Sequence, residues 1–136
     1  MTGMDVLRRV RAYEKDMARL RLQLACVRDA ALRITRSTDT TGHGGQEDKM
    51  GEYAAKVDGI ERMLAEREAI HNRDLICAGA LIAGLDPAQG SVIYCRMVRG
   101  LTERQTAAQL STSQDSIRGL YRRAREALLR TEIENV

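Results

Sequence analysis

From Val6 the apolar positions fall at Val6, Val10, Tyr13, Met17, Leu20, Leu24, Val27, Ala31 and Ile34, in unbroken alternating steps of four and three. That spacing holds one apolar stripe toward a partner helix and predicts a coiled-coil seam. Residues 35–46, TRSTDTTGHGGQ, then gather Ser, Thr, Asp and Gly. Such residues compete with helical hydrogen bonds or lose too much backbone entropy in a helix. The first helix is therefore expected to stop at Ile34 and a flexible loop to follow. A second helical stretch opens near Glu47, where Glu47 and Asp48 suit the positive end of the helix dipole. Its inner face carries Tyr53, Val57, Ile60 and Leu64, and continues through Leu75, Ala78, Ile82 and Leu85. Arg67, Glu68 and His71 interrupt this face. A solvent-facing stretch is preferred there over a charge layer that fixes register. Residues 6–34 and 47–75 are equal in length, roughly 43 Å as helix, and read as the arms of an antiparallel hairpin.

The pattern changes at Asp86-Pro87, a helix start in which Asp caps free N–H groups and Pro fits the first helical position. Val92, Ile93, Cys95, Met97 and Val98 supply the apolar faces of a short helix, and Gly100 is placed as its left-handed stop. Thr102-Glu103-Arg104-Gln105 matches a capping box and opens a second short helix through Ala107 and Ala108 to Leu110. Ser111-Thr112-Ser113 breaks it, and Ser113 caps a third helix with Ile117, Tyr121, Ala124 and Leu128 inside. Gln114, Arg118, Arg122 and Arg125 lie outside. Two short helices, a tight turn and a basic third helix make a helix-turn-helix. Ala107 is small enough to let the two helices cross closely, with Leu110, Ile117 and Tyr121 filling the angle between them. The expected organisation is a helical oligomerisation arm over 1–85, with its loop at 35–46, and a DNA-binding domain over 86–136.

Composition narrows the fold class to all-α. Aromatic residues make up 3% of the chain, with one Pro and no Phe or Trp, which disfavours sandwiches and barrels. No apolar run is long enough to span a bilayer and no secretory leader is read at the start, so a cytoplasmic location without membrane attachment is expected. Cys26, Cys77 and Cys95 are odd in number and widely spaced. They fit neither a disulfide framework nor a zinc pattern, and are expected to be buried free thiols. His43 and His71 have no second ligand at helical spacing, so no metal site and no cofactor are expected. Catalytic residues are not expected either: there is no Ser/His/Asp grouping or carboxylate pair, and Gly-rich GHGG at 42–45 lacks the Lys-Ser/Thr of a P-loop.

Net charge is +3 from 22 basic and 19 acidic residues, unevenly distributed. Residues 1–36 hold nine basic and four acidic side chains, 37–86 five and ten, and 87–136 eight and five. Opposite charge on the first two blocks favours their antiparallel packing. A lone helix pair buries little core, so homodimerisation through this arm is expected. Residues 116–130 carry five Arg against Glu126, a face suited to phosphate and the major groove. An ordinary bundle with a solvated arginine face is the competing reading, disfavoured by the cap and turn spacing. Gln114, Asp115, Arg118 and Arg122, with the shorter Ser116, are the candidates for base edges. Thr102, Arg104, Ser113, Arg123 and Arg125 are the candidates for phosphates.

GLTERQTAAQLSTSQDSIRGLYRRAREALL, residues 100–129, resembles the helix-turn-helix of sigma-70 region 4, through Gly100, Ala107, Leu110, Ser113, Ile117, Arg123, Ala124 and Leu128. It departs at Gln105, at Thr106, where a branched apolar residue is usual, and at Gly119. With the helical arm and the GGQEDKM segment before it, the layout is similar to small prophage regulators of the ArpU/RinA type. That resemblance implies a phage-encoded regulator bound to double-stranded DNA. Small terminase subunits join the same two parts for DNA packaging. A region-4-like module also admits RNA polymerase as its partner, with weak DNA affinity of its own.

Overall fold

The computed structural model describes residues 1–37 and 45–134. Its regular elements there are α1 (Gly3–Ser37), α2 (Gly45–Ala83), α3 (Pro87–Ile93), α4 (Glu103–Gln109) and α5 (Gln114–Leu129), with a π-helical turn at Tyr94–Val98 directly after α3. The protein is all-α.

Helix α1 begins earlier than its seam suggests because Thr2 and Asp5 cap it reciprocally. Thr2 Oγ1 accepts from the Asp5 amide at 3.3 Å, and the Thr2 amide donates to Asp5 Oδ2 at 2.8 Å. The Thr2 amide, followed by the Thr2 hydroxyl, holds the Asp5 carboxyl below its ordinary pKa by bonding its charged form. The expected break at 35–46 is shorter at both ends, since 35–37 belong to α1 and 45–46 to α2. Ser and Thr disfavour a helix by only a few tenths of a kcal/mol each, too little to stop a long one. Residues 38–44, including His43, lie outside the described residues.

The chain divides into two compact units, Glu14–Ala69 and a second made of Met1–Tyr13 with Ile70–Val136. In the first, Met17, Leu20 and Leu24 of α1 and Ile60 of α2 are buried, as their heptad positions require. Arg28 Nη2 meets Glu61 Oε1 at 2.7 Å and Arg67 Nη2 meets Asp16 Oδ2 at 3.3 Å. Positions rise along α1 as their partners fall along α2, the pairing of antiparallel helices. Arg67 thus reaches a carboxylate of α1 while 46% of its side chain stays accessible to solvent. These ion pairs are largely exposed and contribute under about 1 kcal/mol each; the apolar seam supplies most of the cohesion.

The second unit gathers its core from both ends of the sequence. Met4, Leu7 and Val10 of α1 bury themselves with Ala78, Ile93, Met97, Ala124 and Leu128. Residue 86, where a domain boundary is expected, lies inside this unit. Arg9 donates through Nε at 3.0 Å and Nη2 at 2.7 Å to the buried Asp74 carboxylate. His71 stacks on Tyr13 with ring centroids 3.6 Å apart, so this polar position also faces α1. Of the three cysteines only Cys95 is buried; Cys77 is half-buried and Cys26 exposed, because α1 presents Cys26 off its seam.

Pro87 opens α3 as expected, but the Asp86 side chain makes no capping hydrogen bond. Gly90 allows α3 to approach the end of α2: a Cβ there would stand 3.1 Å from the Ile82 carbonyl oxygen. The expected single helix up to Gly100 instead changes to a π turn, closed by the Arg99 amide on the Tyr94 carbonyl at 3.0 Å. The wider turn buries Cys95 and Met97 after Val92 and Ile93, so one short segment serves two apolar clusters. Gly100 then takes φ +68°, a left-handed conformation that a side chain would resist.

Candidate nucleic-acid interface

Helix α4 is set by the capping box read from the sequence. Thr102 Oγ1 accepts from the Gln105 amide at 3.1 Å, while the Thr102 amide donates to Gln105 Oε1 at 2.9 Å. Thr106, the departure from a branched apolar residue, is fully buried and donates its hydroxyl to the Thr102 carbonyl at 2.8 Å. The polar atom is satisfied, so burial carries little penalty. After α4 the chain turns through Ser111, whose φ of 53° is left-handed. Ser113 then caps α5, its Oγ accepting from the Ser116 amide at 3.1 Å.

Helix α5 packs against both α3 and α4. Ala107, Val92 and Ile117 form the buried contact, flanked by Leu110, Leu120 and Tyr121. Ile117, Ala124 and Leu128 are buried and Tyr121 half-buried, which fixes the opposite face of α5 toward solvent. Gln114, Asp115, Ser116, Arg118 and Arg122 are all exposed, as are Arg123 and Arg125. Arg118, Arg122 and Arg125 share one face by their spacing of four and three. Thr102 and Arg104 are exposed at the start of α4.

Five of these residues have protein partners that qualify their candidacy: Thr102 in its capping box, Ser113 with Ser116, and Arg118 with Asp115. Ser113 Oγ also donates to Ser116 Oγ at 2.9 Å, so the hydroxyl is engaged at the helix start. Arg118 donates from Nε to Glu103 Oε1 at 2.8 Å and from Nη1 to Asp115 Oδ1 at 3.2 Å. By contrast, Arg104, Arg122, Arg123 and Arg125 make no ion pair among the described residues. The unpaired positive charge of α5 therefore lies at Arg122, Arg123 and Arg125, with Arg118 partly neutralised.

Sequence reasoning missed Glu103 and Arg96. Glu103 stands fifteen positions before Arg118 on another helix, a separation that no helical period connects. Arg96 lies 5.4 Å from the centre of the Tyr121 ring and donates from Nη1 to the Leu101 carbonyl at 2.8 Å. It braces α5 from behind. The Asp115 contact with Arg118 was within reach, since residues three apart meet on a helix surface.

Away from this face, a cavity of about 410 Å³ is lined by Val6, Arg9, Ile70, Asp74 and Cys77 among others. Its Arg9 and Asp74 satisfy each other. No group of three or more His, Cys, Asp and Glu that could hold a metal is present among the described residues, and no helix among them is long and apolar enough to cross a membrane. No protein-family model, curated protein or solved structure matches this chain.

Proposed function

We propose that this chain is a sequence-specific DNA-binding regulator, of the kind carried by prophages, that acts in the cytoplasm without enzymatic activity. In this reading α4 and α5 form a helix-turn-helix, α5 enters the major groove, and the long helices join two copies. The observation that carries it is the exposed arginine face of α5, set on a helix whose start is capped and whose reverse face is buried against α3 and α4. Arg118 and Arg122 then face base edges with Gln114, while Arg104, Arg123 and Arg125 meet phosphates. An arginine fork matches the acceptor pair of guanine or the oxygens of phosphate.

A salt titration of binding to duplex DNA tests this reading, with random duplex beside fragments of the surrounding genome. Neutralising about five phosphates gives a log–log slope of roughly −4 to −5. A steep slope with one preferred fragment is the expected outcome. Absence of binding at low salt, together with co-purification of RNA polymerase, would favour the polymerase-contact alternative. Ring assemblies of many subunits on DNA would favour a packaging role.

A further inference from the structure

We infer that Glu103 is a specificity-determining positioning residue, whose carboxylate holds the Arg118 guanidinium so that its Nη edge is presented to the paired acceptors of a guanine. This rests on the DNA-binding reading above and concerns how that face chooses a base.

The geometry is a division of one guanidinium among partners. Arg118 is exposed, with 62% of its side chain accessible, yet Nε is fixed by Glu103 Oε1 at 2.8 Å. Glu103 is itself anchored at the first position of α4, behind the Thr102–Gln105 capping box, with 31% of its side chain accessible. The contact joins two helices and has a fixed base. The remaining partner is Asp115, which takes Nη1 at the longer distance of 3.2 Å and is 91% exposed. Nη2 donates to nothing among the described residues.

Guanine offers N7 and O6 side by side in the major groove and takes two parallel N–H donors. With Nε committed, the edge left to supply both is that of Nη1 and Nη2. Approach of the base requires only the weak Asp115 contact to open. The Glu103 contact stays closed, orienting the fork and removing the rotamer freedom an exposed arginine otherwise loses on binding. A carboxylate beside the groove also disfavours phosphate, so the same residue suppresses binding that does not seat Arg118 on a base.

The test selects duplexes from a random-sequence pool with the full chain, then measures affinity for the selected duplex, its single-base variants and random duplex by fluorescence anisotropy. Arg118→Ala should abolish preference at one G·C position. Glu103→Ala should lose preference at that same position, with affinity for the selected duplex falling roughly tenfold and affinity for random duplex unchanged or raised. Glu103→Gln, whose carbonyl still accepts Nε–H, should retain the preference. In an Arg118→Ala background Glu103→Ala should have no further effect on base preference. Thermal melting of each variant establishes that α4 is intact. Retention of the preference by Glu103→Ala, or an equal loss on every duplex, would overturn the assignment while leaving DNA binding standing. If the unsubstituted chain selects no sequence, the DNA-binding reading fails first and this assignment fails with it.

Discussion

Asp74 is buried to 9% side-chain exposure while its partner Arg9 keeps 41%, and that asymmetry sets the consequence of breaking the pair. Asp74→Ala leaves a guanidinium that can turn to water, so the loss is smaller than for a fully buried pair. We expect a destabilisation of about 2 kcal/mol, read as a lower urea midpoint with an unchanged slope; a change under 0.5 kcal/mol would mean the pair contributes nothing net. The two residues lie 65 positions apart, and nothing in a single sequence couples them. Residues whose partners are local were legible. Thr102 and Gln105 stand three apart and cap α4 as read, and Ser113 caps α5 for the same reason. Asp86 had the same local signature as these caps and makes no such bond. The motif offers the chance of a cap, and the surrounding backbone decides whether it closes.

At the scale of the helix, α5 contains one residue that works against it. A Cβ on Gly119 would meet nothing within 4 Å, so no neighbour in the chain requires glycine there. Gly119→Ala should stabilise the protein by about 0.8–1 kcal/mol, measured by urea denaturation. If the same variant binds duplex DNA more weakly while melting higher, the glycine marks where a DNA backbone approaches α5. Helix positions were legible from apolar spacing because burial follows period, and the inner face of α5 is buried largely as its pattern requires. The π turn at Tyr94–Val98 was not legible. Its hydrogen bond spans five residues instead of the four of an α-helix, and residues 92–97 contribute to two apolar clusters, neither of which a local period shows. Met4 and Leu7 were missed for a related reason: Leu7 stands off the heptad seam, Met4 precedes it, and both pack against elements far along the chain.

For the molecule as a whole, the long helices leave Leu22, Leu32 and Met63 at 67%, 57% and 50% exposure. Under the proposed dimer these side chains lie at the contact between copies. Sedimentation equilibrium at micromolar concentration should return twice the 15.2 kDa chain mass, and Leu22→Glu with Leu32→Glu should return the chain mass alone. A single-chain mass for the unsubstituted protein would remove the dimer from the proposal. The all-α class was legible from composition and period; the grouping of Met1–Tyr13 with Ile70–Val136 was not, since heptad spacing tells which side of a helix is buried and not which distant residue buries it. That grouping bears on how the protein is made. A ribosome adds about 5–20 residues per second, so Met4 and Leu7 emerge on the order of ten seconds before Ala124 and Leu128, with which they share a core. Until residue 128 is out, the apolar end of α1 is only partly covered, by Ala78, Ile93 and Met97. The nascent chain must therefore stay soluble through that interval before its first turns find the partners that complete their burial.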